Sequence, residues 1–374
     1  MLRERPYLLM FPLALLCGWL GVSHWMLYGL GVISAYSGLG HALVLTQAMF
    51  GAFALGFLMT AIPRRTSTAP AHPVELFAAA AAVVVTAAAA HAQRFAIAEY
   101  GAVGILSVLL VFAVRRTGAA AGRRPPNAFV MIPIGCAAGI AGAVLVARMA
   151  NGQGSLEAYL IGRQLVQQGV FLCFLLGVGA LILPLIQGAP PPADATSSRA
   201  NQLARLGYAA LGALVVATLV ADPWWPRLAS AVRAVAVAVG LVANGALRWP
   251  ALPGFHRRVA VVAVWLTPLG LALAALVPDH AIAMQHVMFI GGLSLLAFAV
   301  SAHVALGHAD RADLLASTSV RSIAMAAIIG AAIAVRAAAH HWPESYYTLL
   351  AVAAALWIAG SLAWAALAIN TPNS

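Results

Sequence analysis

Lysine is absent from this chain of 374 residues, and charge of either sign is scarce, with charged residues making up only 8% of the sequence. A soluble domain carries roughly a quarter charged residues, so an ordinary water-exposed surface is excluded. Acidic residues number only 10, and none falls deep within a long apolar run. Glu75, Glu99, Glu157, Asp222, Asp279 and Glu344 all lie near the ends of such runs. A proton pump built on buried carboxylates is therefore not expected. The three cysteines, Cys17, Cys136 and Cys173, form no CxxC pair and read as small core residues. No phosphate-binding glycine loop, HExxH motif or nucleophile elbow occurs.

What the chain has in quantity is apolar length. Hydrophobic residues make up 63% and the mean hydropathy is +0.93. Runs of about twenty apolar residues, the length a helix needs to cross hydrocarbon, recur between breaks rich in Pro, Arg and Gly. The pattern predicts an all-α integral membrane protein, one polytopic domain over 1–374. Twelve transmembrane spans are expected at 8–30, 41–62, 74–92, 96–114, 128–150, 158–187, 201–220, 227–247, 257–277, 280–306, 318–338 and 345–369. The opening MLRERP lacks a small-residue cleavage pattern after its apolar run, so span 1 reads as a retained helix.

All 21 basic residues are Arg, and the formal net charge is +11. Fifteen fall in loops on the side of the N-terminus, whereas the opposite loops hold only Arg94, Arg148, Arg227 and Arg336. That bias places both termini in the cytoplasm. The basic charge is a topology signal, and no nucleic-acid partner is implied.

This orientation puts His24, His41, His91, His280, His286, His340 and His341 near outer helix ends, and His72, His256, His303 and His308 on the cytoplasmic side. An interfacial imidazole can simply sit among headgroups or cap a helix, which is the reading for His24, His91, His340 and His341. His41 and His286 lie at or just inside the outer ends of apolar spans, where an ionisable group is costly and is usually kept for function. Two such rings at similar depth suit the trans axial positions of one haem iron. His41, Arg163 and His286 recur at steps of 122 and 123 residues, and Pro12, Pro133 and Pro268 recur in spans 1, 5 and 9. Three four-helix units, 1–120, 121–250 and 251–374, would explain both series.

Arg163 and Gln167 lie one turn apart on one face of span 6. An intramembrane Arg either meets an anion or snorkels outward, and the same holds for Arg233. His280 and Met284 share a face, with Met288 a turn on; the set suits Cu(I) or is plain packing. His308 lies about 33 Å along the helix from His286, too far to serve one iron with it. With His303 or His256 it marks a separate cytoplasmic-side site or a structural contact. The small-residue run "PNAFVMIPIGCAAGIAGAVL" predicts close helix packing.

The stretch "GHALVLTQAMFGAFALGFLMTAIP" (40–63) resembles the second-helix motif of the NnrS family. "RQLVQQGVFLCFLLGVGALILP" (163–184) is similar to its Gly-Val-Gly helix, and "QHVMFIGGLSLLAFAVSAHVALGH" (285–308) to its tenth-helix motif. The resemblance covers the whole chain and implies a haem- and copper-containing inner-membrane protein linked to nitric oxide and nitrosative stress. His41, His286 and His308 match the family's histidines. Leu43 stands where the family has a second His, Val44 where it has Glu, and His303 where it has Arg, which puts the copper site in doubt.

More widely, the architecture is similar to the catalytic subunit of haem-copper oxidases and nitric oxide reductases, whose low-spin haem maps onto His41 and His286. Arg163, Gln167 and Arg336 become candidate contacts to haem propionates. The reactive centre of that superfamily is not reproduced: Met284 replaces a haem ligand, and span 6 offers Arg163, Gln164, Gln167 and Gln168 in place of copper-binding histidines. Terminal oxygen reduction is not expected. The reading is a haem b redox protein of a bacterial-type inner membrane, acting in nitric oxide detoxification or electron transfer, an oxidoreductase if catalytic. The competing class is a small-molecule or copper transporter without haem.

Overall fold

Backbone N–H and C=O groups within hydrocarbon find no water, so an apolar run must satisfy them internally, which a helix does within one segment. In the computed structural model, which describes residues 1–190, 196–309 and 311–369, twelve helices are long and apolar enough to cross a membrane. They are α1 (Tyr7–Gly29), α2 (Gly38–Thr66), α3 (Pro73–His91), α4 (Phe95–Gly118), α5 (Asn127–Ala150), α6 (Leu156–Gln187), α7 (Arg199–Ala221), α8 (Pro226–Ala243), α9 (Phe255–Leu276), α10 (Pro278–His308), α11 (Val320–His341) and α12 (Pro343–Ala366). No strand occurs among the described residues. Each helix falls within a few residues of its expected span. The chain is a multi-pass, all-helical membrane protein. Residues 370–374, the terminus expected in the cytoplasm, lie outside the described residues.

Helix starts follow the local chemistry. Helices α3, α8, α10 and α12 begin at Pro, whose missing N–H is one the first turn leaves unbonded anyway. At α3 the His72 ring accepts from Val74 N at 3.3 Å, and Glu75 Oε2 accepts from His72 N at 2.8 Å, closing a capping box. Glu75 also takes a bidentate bond from Arg116 at 3.0 and 2.7 Å. The same guanidinium donates to Ala69 O and Pro70 O, both at 3.1 Å. An arginine of the topology signal thus ties down the loop between α2 and α3.

Contacts divide the chain into two compact units. The first comprises Met1–Gly21, Ser37–Leu181 and Pro192–Trp225; the second comprises Val22–Tyr36, Ile182–Pro191 and Pro226–Ser374. In the first, α2 packs on α3, α4 and α6, and α5 packs on α4, α6 and α7. The small-residue run sets the closest approach. A Cβ built on Gly142 of α5 would lie 2.8 Å from Gly162 O, and one on Gly162 of α6 would lie 2.8 Å from Gly142 O, so the two backbones meet with no room for a side chain. The three cysteines are buried and unbridged, as expected.

In the second unit α9 packs on α8, α10 and α11, and α12 on α10 and α11. Trp364 Nε1 donates to Phe298 O at 2.8 Å. Trp25, Tyr28, Tyr36 and Tyr347 form one ring cluster with centroids 4.5–5.7 Å apart, and the hydroxyls of Tyr36 and Tyr347 lie 3.1 Å apart. Aromatic side chains with a polar tip suit a membrane–water boundary.

Three helices depart from regular α geometry. π-helical turns occupy Val44–Met49 in α2, Leu165–Gly169 in α6 and Val287–Ser294 in α10. They begin at residues 44, 165 and 287, steps of 121 and 122, matching the spacing of His41, Arg163 and His286. An extra residue inserted in a helical turn re-aims the side chains around it, and such turns are frequent at functional sites.

Candidate functional site

His41, Arg163 and His286 each sit within three positions of a π turn, and the two units hold different chemistry. In the first unit, Ser37 caps α2 by accepting from Gly40 N at 3.0 Å, which places His41 in the first turn. The half-buried His41 ring meets a neighbouring helix, its Nδ1 lying 2.8 Å from Gly21 O of α1. A carbonyl only accepts, so Nδ1 carries the proton and Nε2 keeps the lone pair of the neutral ring. Leu43 and Val44, at the positions where the family has His and Glu, are buried in the core. They offer no ligand there.

On α6, Arg163 is half-buried with its guanidinium carbon 5.7 Å from the Tyr159 ring centre. Its Nε is buried and makes no hydrogen bond to the described residues. Gln167 is half-buried within the π turn. The hydrogen-bonded chain runs through other residues: Gln168 Nε2 donates to Gln164 Oε1, and Gln164 Nε2 donates to Asp222 Oδ2, both at 2.8 Å.

The second unit holds His286 and His308. His286 Nδ1 donates to Ile282 O at 2.7 Å, and the ring lies edge-on to Phe289 at 6.1 Å. His308 repeats the arrangement, Nδ1 donating to Val304 O at 2.7 Å. All three histidines that match the family motif therefore share one tautomer, with Nδ1 tied to a backbone carbonyl. A hydrogen bond from Nδ1 to a carbonyl orients a metal-binding imidazole and raises its basicity.

His303 is engaged elsewhere. Its Nδ1 lies 3.1 Å from His256 Nε2, so one ring donates and the other accepts, and His256 is 3% exposed. The structure thus joins His303 to His256, while His308 Nδ1 meets the Val304 carbonyl. Gly254 caps the start of α9 with a φ of +132°, a conformation L side chains rarely adopt, and His256 follows as the second residue of the helix.

His280 stacks on His340 with ring centres 3.7 Å apart; His341 follows at 4.0 Å from His340 and 5.9 Å from His280. Sequence spacing had put His280 with Met284, and this stacking with residues sixty positions on is a contact the sequence did not announce. Met284 is half-buried and Met288 fully buried. Among the described residues no group of three or more His, Cys, Asp or Glu converges to hold a metal ion. Arg336 is 8% exposed, and its Nη1 is buried without a hydrogen bond to the described residues. Arg233 is wholly enclosed by protein rather than reaching outward.

Burial adds what position along the helix did not reveal. Glu99, read as lying near a helix end, is 0% exposed and accepts a 2.9 Å hydrogen bond from Gln47 Nε2 in the π turn of α2. It sits one turn into α4, where packing against neighbouring helices covers it. Distance from a helix end did not reveal that.

The fold and these residues define the class: a twelve-helix membrane protein in which His41, His286 and His308 each hold Nδ1 on a backbone carbonyl. Within that class the chain belongs to the NnrS protein family, whose model matches residues 1–371. No curated protein matches the chain.

Proposed function

We propose that the chain is a haem b-binding redox protein of the inner membrane acting in the nitric oxide response, with His41 and His286 as axial ligands of haem iron and both termini in the cytoplasm. The observation that carries this reading is the shared tautomer of the family-matching histidines: a backbone carbonyl holds Nδ1, which directs the lone pair onto Nε2 at the edge of a π turn. The donors fit the group as well. Arg163 Nε and Arg336 Nη1 are buried nitrogens that need an acceptor, and haem propionates supply carboxylate oxygens. When bound, haem supplies one-electron transfer. The protein's part is to fix the imidazole tautomers, neutralise the propionates and exclude water. His41 and His286 would hold the haem and thereby favour electron transfer over reduction of nitric oxide, which would need a second centre. Copper, if retained, would take His280 and Met284 as its ligands, since Leu43 and Val44 carry no donor side chain.

The test is a visible absorption spectrum of the purified protein from haem-replete cells, oxidised and dithionite-reduced, beside His41→Ala and His286→Ala. A sharp reduced α-band lost in either variant is the expected result. A colourless wild-type protein sinks the haem reading and leaves a small-molecule or copper transporter as the reading to pursue.

A further inference from the structure

Glu99 is the one described carboxylate fully shut away from the surface; Glu4, Glu75, Glu157, Asp222, Asp279, Asp313 and Glu344 are all exposed or partly exposed. Its Oε2 accepts from Gln47 Nε2 at 2.9 Å, and no Arg, His or second carboxylate bonds to it among the described residues. Its other oxygen, Oε1, is buried with no partner, and so is Gln47 Oε1 on the same pair. Two acceptors without a donor, side by side on hydrogen-bonded partners that are 0% and 6% exposed, are a costly arrangement for an ionised carboxylate. A single proton changes the accounting. Carried on Glu99 Oε1, it turns that atom into a donor, and Gln47 Oε1 is an acceptor lacking one.

The geometry points to a proton-binding site: Glu99 and Gln47 form a buried acid–amide pair, in which Glu99 holds a proton that Gln47 Oε1 accepts as a hydrogen bond while Gln47 Nε2 donates back to Glu99 Oε2. The step is a plain protonation, RCOO⁻ plus H⁺ giving RCOOH, and needs no other reactant. The pair also has an outlet. Gln47 is the single polar residue lining a cavity of about 20 Å³, walled by Gly51, Ala102, Ile105, Val166 and Val170 among others. That exceeds the roughly 10–15 Å³ one water requires, although a lone amide offers too few partners to keep a water resident. Gln47 therefore lies between Glu99 and a space large enough for one water, where the sequence led to no expectation of buried-carboxylate chemistry.

The experiment is infrared spectroscopy of the full-length protein in lipid vesicles at neutral pH, in H₂O and after transfer to D₂O. The expected result is a protonated-carboxyl C=O stretch in the wild type that is absent in Glu99→Gln. Gln47→Leu should keep the band but move it to higher frequency, because the hydrogen-bonding partner is gone, and D₂O should move the wild-type band down. Absence of a protonated-carboxyl band in the wild type, or its survival in Glu99→Gln, overturns the site; a band that ignores D₂O overturns the outlet. If Glu99→Gln fails to fold, an unmoved band in Gln47→Leu is the overturning result. The readout uses no haem, so a colourless protein that shows the band leaves this site standing while the haem reading falls.

Discussion

Helices α2 and α10 carry the same device with different supports. Each places a histidine just ahead of a π turn with Nδ1 on a backbone carbonyl, but the carbonyl holding His41 belongs to α1, whereas the one holding His286 belongs to its own preceding turn. His41 is oriented by tertiary packing and His286 by local helix geometry. The first can be disturbed from a distance; the second travels with its helix.

The largest expected effect tests what the two share. His41→Ala and His286→Ala should each abolish the reduced α-band, since a six-coordinate iron loses its low-spin state when either axial imidazole goes. Retention of the full band in one of them breaks the equivalence of the two helices and reassigns that ligand.

Next comes the packing of the π turns. A Cβ on Gly270 of α9 would lie 2.5 Å from the backbone N of Met288, in the π turn of α10, whereas one on Gly51 of α2 would meet only the Ile105 side chain at 3.2 Å. Gly270→Ala should therefore destabilise the protein by about 1–3 kcal/mol and Gly51→Ala by less, because a methyl group yields more readily than a backbone. Thermal unfolding followed by circular dichroism compares them, and equal losses would remove this difference between the two turns.

The supports themselves are tested by Gly21→Val. A Cβ there already falls 2.9 Å from Leu45 and 3.2 Å from Val44, so a branched side chain pushes α1, and with it the Gly21 carbonyl, away from His41. Loss of such a bond to the ring nitrogen opposite the metal typically weakens metal binding by about tenfold or more. Ile282→Ala leaves its own carbonyl in place and, with Ile282 66% exposed, should leave haem retention unchanged. Haem occupancy in a competition with apomyoglobin reads both, and equal retention would show that His41 needs no help from α1.

The smallest expected effect lies in the arginines. Arg163→Gln and Arg336→Gln each remove a positive charge that favours the reduced iron, so both should lower the reduction potential without removing the α-band. A potentiometric titration checks the sign, and an unchanged potential in both would take the arginines away from the propionates.

Much of the fold was legible because it follows from composition. A segment of twenty apolar residues without charge leaves its backbone no choice but a helix, and Pro, Arg and Gly mark where each ends; the observed bounds fall within a few residues of those expected. His41, His286 and His308 were legible by motif, and the structure gives them a common tautomer. What escaped the sequence depended on residues distant in the chain. The His256–His303 pair joins positions 47 residues apart. The His280–His340 stack joins positions in α10 and α11. The burial of Glu99 was hidden because a position near a helix end is exposed only if no neighbour covers it.

The amino-acid sequence by itself determined that this protein lives in a membrane, how many times its chain is built to cross, and which histidines stand at the helix ends. Hydrophobic length and the cost of unbonded peptide groups are properties of each segment alone. Only the tertiary structure decided where the helices take a π turn, which carbonyl holds His41, and which oxygens on Gln47 and Glu99 go without a donor. Those follow from the contact of helices remote in sequence, where the approach of one backbone to another, glycine by glycine, fixes what each polar group meets.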